Sequence, residues 1–327
     1  MKGSAGRWRF WTPPEGSIPT SPIPSIDGVR SVHLLGIGGA GMRNLARLFV
    51  ARGLMVSGSD VKDSAYLTEL GFLGVRIHVG HDPALLGSPD AVVVSSAIRD
   101  DNPEVTAAVR SGVPIWKRQQ AIGALAAGHR AVAISGAHGK TTTTSLVAAA
   151  LEASGLDPTV LIGGDLNESG SGARHGTGDL FVFEADESDG SFLLIPPWVG
   201  VITNLDADHL DFYPRGLEEI EDAFAEFAVG SDHVVAWGDD PSLTRALAHA
   251  GVRATTYGSS PGCDLQLRVD SLGPEGARGT VRVDDAEVAL QLQVDGAHNL
   301  LNATAAIAVA RLAGVPAVVS AEAIAGF

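Results

Sequence analysis

The sequence predicts an α/β protein of two units, each built on a parallel sheet, with a small antiparallel β portion late in the second. Three observations predict it. Short runs such as Ala91-Val92-Val93-Val94 and Ala131-Val132-Ala133-Ile134 have no polar face, as strands covered on both sides require. These runs alternate with stretches of helical periodicity. Twice, an apolar run passes through a glycine turn straight into such a stretch, at residues 36–42 and 135–144. A length of 327 residues suits about two domains.

The elements follow in order. Residues 12–27, TPPEGSIPTSPIPSID, are rich in Pro and Ser, so residues 1–29 read as an extended lead-in that is expected to be poorly ordered. The first unit, 30–128, has strands at 32–35, 54–56, 75–77 and 91–94 and helices at 41–51, 65–70 and 104–110. The second, 129–327, has strand candidates at 131–134, 159–162, 180–184, 199–203, 233–237 and 253–257. Its helices fit at 140–153, 217–228, 241–250 and 299–313. Within residues 263–294, DLQLRVDSL, GTVRV and EVALQLQV alternate, separated by Gly and Asp, and read as antiparallel strands or a meander. The Gly-rich run 163–178 is long for a compact domain, which marks a functional or mobile loop.

Composition excludes several classes. The formal charge of -15 argues against general nucleic-acid or anionic-membrane binding, since both need a basic face. Cys263 is the only cysteine, which rules out an intramolecular disulfide and a cysteine-based metal cluster. Apolar stretches are interrupted, by Pro196-Pro197 and by Arg311 and Pro316, and none reads as a membrane span. No signal-peptide pattern stands out, so a cytoplasmic protein is expected.

The stretch SGAHGKTTTT, residues 135–144, carries one of only four lysines, and none follows it. A strand, a glycine turn and a helix that opens with Lys-Thr make an anion site. The helix start offers unpaired N–H groups and the positive end of the dipole. Gly136 and Gly139 allow close backbone approach, with His138 between them; Lys140 can meet terminal phosphates, and Thr141 and Thr142 follow. Thr141 can place its hydroxyl on Mg2+. Only two residues separate the glycines where the P-loop pattern has four, so this is a P-loop-type turn recognised by context. The competing reading, a surface lysine with threonine as helix filler, is weakened because four β-branched residues are poor helix formers.

The turn Gly36-Ile37-Gly38-Gly39-Ala40-Gly41-Met42 holds the G-x-G-x-x-G spacing between strand and helix, and Asp60 follows the next strand. This is a Rossmann-like dinucleotide fingerprint with its ribose-binding acid. The same geometry suits any ribose diphosphate, UDP included. Two phosphate turns in one chain point to two nucleotide ligands.

Phe181-Val182-Phe183-Glu184 runs into Asp186, Glu187 and Asp189. Glu184, the first acid after the apolar run, is the metal candidate. The other acids include some that fit a solvated turn. A second strand ends in Thr203-Asn204-Leu205-Asp206-Ala207-Asp208-His209, where carboxylates would favour the protonated form of His209 or orient it as a ligand. His298, Asn299 and Asn302 open a helix; Asn299 and Asn302 share a face and can read an adenine edge, with helix capping as the competing role for Asn299.

Taken in order, GIGGAGM, SGAHGKTTTT, EADESDGSF, TNLDADHLD and GAHNLLNATAA resemble the Mur ligase family of cell-wall synthesis over residues 30–327. The resemblance implies two of the family's three domains, with the amino-acid-binding C-terminal one absent, hence ligand binding with little turnover. It implies an ATP-dependent amide ligase that joins L-alanine to the lactyl carboxylate of UDP-N-acetylmuramate through an acyl phosphate. The member that attaches a recycled tripeptide is the alternative. It implies a UDP-substrate site at Gly36, Gly38, Gly39, Ala40, Gly41, Met42, Asp60, Ser95 and Ser96. ATP would lie at Gly136, His138, Gly139, Lys140, Thr141, Thr142, His298, Asn299 and Asn302, and Mg2+ at Thr141, Glu184 and His209, with Lys140, His209 and Glu184 catalytic. Some relatives bridge their metals with a carbamylated lysine; no lysine follows Lys140 to do so here. An NAD-dependent oxidoreductase would leave the lysine turn unexplained. A non-enzymatic nucleotide module would leave the first glycine turn unexplained.

Overall fold

The computed structural model describes residues 9–14, 22–163 and 172–327. Half of the Gly-rich run, 164–171, lies outside these residues, as do 1–8 and 15–21 of the lead-in. The chain divides into two compact units, one of residues 21–128 and 159–176, the other of 1–20, 129–158 and 177–327.

The first unit opens with β1 (Ser31–Leu35), α1 (Ala40–Ala51), β2 (Met55–Asp60), α2 (Ala65–Phe72), β3 (Arg76–Val79) and β4 (Ala91–Val94). It continues through α3 (Pro103–Ser111), β5 (Ile115–Lys117) and α4 (Arg118–Ala126). The strands form a parallel sheet in the order β3-β2-β1-β4-β5. Every residue of β4 is buried, which explains its unbroken Ala-Val-Val-Val run. Helix α1 turns Met42, Leu45, Ala46, Leu48 and Phe49 inward at helical spacing. Helix α3 starts where Asn102 accepts the Glu104 and Val105 amides ahead of Pro103, and ends at left-handed Gly112. β5 and α4 are additions to the sequence reading.

The second unit begins with β6 (Arg130–Ser135) and α5 (Lys140–Ala153). The antiparallel pair β7 (Thr159–Leu161) and β8 (Ala173–Arg174) belongs with the first unit, not with the second as the sequence reading placed strand 159–162. The Asn44 amide of α1 ties it there by donating to the Ile162 carbonyl at 3.0 Å.

The second unit resumes with β9 (Leu180–Glu184), β10 (Val199–Ile202), α6 (Leu217–Val229), β11 (His233–Trp237), α7 (Pro241–Ala250) and β12 (Thr255–Gly258). It finishes with β13 (Leu265–Gly273), β14 (Gly276–Val283), β15 (Ala286–Leu292), α8 (Ala297–Leu312) and α9 (Ala317–Ile324). Its sheet runs β15-β14-β13-β12-β11-β10-β6-β9. Pairing is parallel from β9 to β13 and antiparallel through β13, β14 and β15, the meander expected at 263–294. Alanines 303, 305, 306, 308 and 310 make α8 slim enough to lie buried between α5 and the strands. The phosphate-type turn therefore springs from a central strand, β6, into a helix held in the core.

The lead-in also departs from expectation. Trp11 is buried, and the Arg9 and Phe10 amides are bonded to Glu226. In the first unit, Ile23 packs on Gly123 of α4.

Candidate active site

In the second unit the lysine turn is assembled from three segments. Gly136 has φ +130° and Gly139 φ +82°, both in the region that favours glycine. Gly139 is the N-cap of α5 and gives no side-chain cap, so the amides of the first turn face outward for an anion. Lys140 folds back over the turn. Its Nζ donates to the Gly136 carbonyl and to Glu187 Oε1, both at 2.7 Å.

The sequence reading left open which of Asp186, Glu187 and Asp189 belong to a solvated turn; Glu187 does not. It is 4% exposed. Its Oε2 accepts from Ser135 Oγ at 3.3 Å, and its carbonyl accepts from the Tyr213 hydroxyl at 2.6 Å. Burial, then the charge of Glu187, pushes the Tyr213 phenol well above its ordinary value, so it stays a donor.

The turn is clamped from the end of β10. Thr203 Oγ1 donates to the His138 carbonyl at 2.6 Å and the Ser135 carbonyl at 3.2 Å. Asn204 takes the His138 amide on Oδ1 at 2.9 Å and gives Nδ2 to the His138 carbonyl at 3.0 Å. The Asn204 carbonyl accepts from the Ala137 amide. Neither residue stood among the sequence candidates. Their signal was an uncharged Thr-Asn pair directly after an apolar strand, overshadowed by the acids that follow.

Below the turn, Asn302 is buried and its Oδ1 lies 2.8 Å from where a Gly139 Cβ would stand. Asn299 instead gives Nδ2 to the Asp295 carbonyl at 2.7 Å, a bond from the first turn of α8 to the residue before its cap. Exposed His298 folds its ring against Gly296. His138 is exposed, with Nε2 3.6 Å from Asp206 Oδ2.

His209 has φ +53°, with its ring 3.8 Å from Asp208 Oδ2. A small cleft brings His209 together with Ala137, Glu187, Asp206, Asp208 and Tyr213. Glu184, at the end of β9, is not among that cleft's lining residues. Thr141 is exposed in the first turn of α5 and Thr142 follows it. Among the described residues no three or more of His, Cys, Asp and Glu are grouped as a metal cage. Oxygen-rich surroundings of this kind suit Mg2+, which binds through one or two carboxylates together with phosphate oxygens.

The first unit has its own turn. The Gly36 and Ile37 amides donate to the Ser59 carbonyl at 2.9 and 3.2 Å, and the Gly38 amide to Asp60 Oδ2 at 2.9 Å. Asp60 therefore shapes the turn as well as facing it. Gly39 caps α1 without a side-chain bond, ahead of Ala40, Gly41 and Met42. The Arg118 guanidinium lies against Gly41, a cation beside the turn that was not predicted. Ser95 packs on Gly36 and receives the Ala97 amide, and Ser96 is exposed beside it.

Behind this turn sits a buried polar network. His33 bonds Ser57 and Glu104 at 2.9 and 2.8 Å, and Ser59 Oγ donates to Glu104 at 3.0 Å. Burial alone would raise Glu104, but hydrogen bonds from His33, Ser59 and His81 hold it below its ordinary value.

The sequence matches two family models. Residues 31–130 match the Mur ligase family, catalytic domain, and residues 134–310 match the Mur ligase middle domain. A UDP-N-acetylmuramate–L-alanine ligase of Arthrobacter sp. strain FB24 is 46% identical over 302 residues, 90% of this chain and 63% of that protein. One from Acidothermus cellulolyticus is 44% identical over 313 residues, 94% of this chain and 65% of that protein. The chain thus spans just under two thirds of these relatives. The structure of a UDP-N-acetylmuramate–alanine ligase from Thermotoga maritima superposes with TM-score 0.78 at 31% identity, covering 90% of this chain and 67% of that one. A UDP-N-acetylmuramate:L-alanyl-γ-D-glutamyl-meso-diaminopimelate ligase from Neisseria meningitides superposes with TM-score 0.81 at 28% identity, covering 92% and 98%. Two glycine turns, one on a parallel and one on a mixed sheet, matched in order by both domain models, place the chain in the Mur ligase family.

Proposed function

We propose that the chain supplies the UDP-substrate and ATP sites of an enzyme that joins L-alanine to the lactyl carboxylate of UDP-N-acetylmuramate in peptidoglycan precursor synthesis. One observation carries it: Lys140 is aimed by Gly136 and Glu187 at the uncapped mouth of α5. That is a site for a terminal phosphate. Relatives named for the alanine reaction, at 44–46% identity, favour it over tripeptide addition. The structures named for the tripeptide reaction are 28% and 26% identical.

The chemistry is phosphoryl transfer, then acyl transfer. The lactyl carboxylate attacks the γ-phosphorus and ADP leaves. The amine of L-alanine attacks the resulting acyl phosphate, and inorganic phosphate leaves. The α5 amides and Lys140 neutralise charge on the transferred group, and the Thr203-Asn204 clamp keeps them in place beforehand. Thr141, Glu184 and His209 are the proposed Mg2+ holders, with Glu187 beside His209 in the cleft. The metal would supply charge neutralisation between phosphates. Asn302 and His298 sit by the turn and the start of α8, where a nucleotide base would lie. The first unit's turn, with Asp60, Ser95 and Ser96, would hold UDP. The substrates are small molecules and the reaction cytoplasmic; no helix among the described residues is long and apolar enough to cross a membrane.

Thermal unfolding with each ligand tests this. A ligand at about 100 times its Kd stabilises by ~2.7 kcal/mol. UDP-N-acetylmuramate and ATP with Mg2+ should each raise Tm, and NAD and NADP should not. Stabilisation by NAD or NADP alone would overturn the reading.

A further inference from the structure

Residues 9–14 form a strap on the second unit that the reaction chemistry does not explain. Glu226 Oε2 accepts the Arg9 and Phe10 amides at 2.7 and 2.8 Å. One face of α6 also carries Glu219, which takes the Trp11 indole N–H at 3.1 Å. The Phe10 ring meets His249 of α7 edge-on, with centroids 5.3 Å apart. These contacts seat the Trp11 ring at 3% exposure.

What the ring rests on decides its role. It lies against Gly190, where an added Cβ would come within 2.9 Å of it, and against Tyr213, with centroids 5.5 Å apart. Gly190 N–H and Tyr213 O–H are the two donors to the Glu187 carbonyl, at 3.1 and 2.6 Å. The Glu187 carboxylate in turn holds Lys140 Nζ. Trp11 also meets Phe212, whose amide, like that of Tyr213, donates to the His209 carbonyl. One buried ring thus braces both the acidic turn and the histidine turn. A strap that served only to cover α6 would need neither contact.

We infer that the strap is a positioning element of the phosphate site: Trp11 fixes the backbone of Glu187 and thereby the direction of the Lys140 ammonium. This rests on reading the lysine turn as a phosphate site. The test therefore has one readout with nucleotide and one without. Lysine labelled at Cε and Nζ gives signals for only Lys2, Lys62, Lys117 and Lys140, and loss of one signal in Lys140→Met assigns it.

In Trp11→Ala the Lys140 signal should move toward those of the other lysines while Lys62 and Lys117 stay in place, and ATP should bind at least about tenfold more weakly. Trp11→Phe keeps a ring on Gly190 and Tyr213 and should restore both. Glu226→Ala releases the strap amides and should move the Lys140 signal the same way; it decides the matter if Trp11→Ala does not fold. An unmoved Lys140 signal in folded Trp11→Ala or Glu226→Ala, with only Tm lowered, would overturn the inference. A Lys140 signal that moves in a protein whose wild type binds no ATP would support the strap's role and sink the nucleotide reading instead.

Discussion

Replacing Gly136 with alanine should damage the lysine turn more than one added methyl group suggests. Two costs combine. At φ +130° an L-residue is strained, which costs about 1–3 kcal/mol. The new Cβ would also collide with Thr203 Oγ1 and stand 2.9 and 3.0 Å from the Asn204 carbonyl oxygen and amide nitrogen. Two of those three neighbours are backbone and cannot rotate away, so an overpacking cost of about 1–3 kcal/mol applies. The midpoints sum to roughly 4 kcal/mol, or a fall of about 8–16 °C in the Tm of a unit this size. Thr203 and Asn204 also hold His138, so the ATP-induced rise in Tm should shrink too. A double-mutant cycle isolates the cause. Thr203→Ala removes the Oγ1 in the path of the new methyl group, so Gly136→Ala/Thr203→Ala should be less damaged than the sum by about 1 kcal/mol. Thermal unfolding of the four proteins measures this. A Gly136→Ala drop under about 2 °C, or additivity within about 0.3 kcal/mol, would show that the turn accepts the methyl group without the collision.

Lys140→Met keeps the aliphatic stem and removes the charge, so ATP should bind about 10- to 150-fold more weakly, by loss of a charge-assisted hydrogen bond; a calorimetric titration within threefold of wild type would contradict it. Glu104 is held below its ordinary value of 4.5, so the stability it contributes is present above that pH and is lost as pH falls through the lower folded value. In Glu104→Gln that acid-labile part is missing: its Tm should lie below wild type at pH 7, and the gap should close toward pH 3. A constant gap across the titration would count against it. Asp240→Ala removes the cap from Ser242 and Leu243 and the acceptor for the Leu205 amide. It should cost about 2 kcal/mol in a urea titration, with m unchanged.

Much of the fold was legible because its signals are local. Helix α7 shows this: Asp240 caps it, Pro241 opens it and left-handed Gly251 ends it, all within one stretch of sequence. Every residue of β4 is apolar because both faces are covered. The additions had weaker local signals. β5 is three residues long, and α4 lacks a polar stripe because Gln119 and Gln120 are buried with the alanines. The Gln120 side chain accepts from the neighbouring Lys117 amide and also donates to the Pro22 carbonyl, 98 residues earlier in the chain. Only the tertiary fold shows that. The same holds at the lysine turn. Gly136, Gly139 and Lys140 were readable from spacing. Among the four acids between 184 and 189, nothing local distinguishes Glu187; its partner lies 47 residues earlier in the chain.

That partner also resolves a difficulty with a phosphate site in a chain of net charge -15. A carboxylate bonded to the one lysine of the site looks like a competitor for the ligand. The hydrogen-bond inventory says otherwise. An ammonium has three donors. Lys140 spends one on the Gly136 carbonyl and one on Glu187, both at 2.7 Å. The third can go to a phosphate oxygen with neither bond broken. The first two bonds fix the stem, so little rotamer entropy remains to be lost when the ligand arrives. Glu187 is in turn held from behind by Ser135 and through its carbonyl by Tyr213. Its carboxylate thus orients the lysine without being free to follow it, and the outward-facing amides of α5 add positive potential that Glu187 does not cancel. The site achieves local attraction for an anion by pre-arranged donors, not by an excess of basic residues.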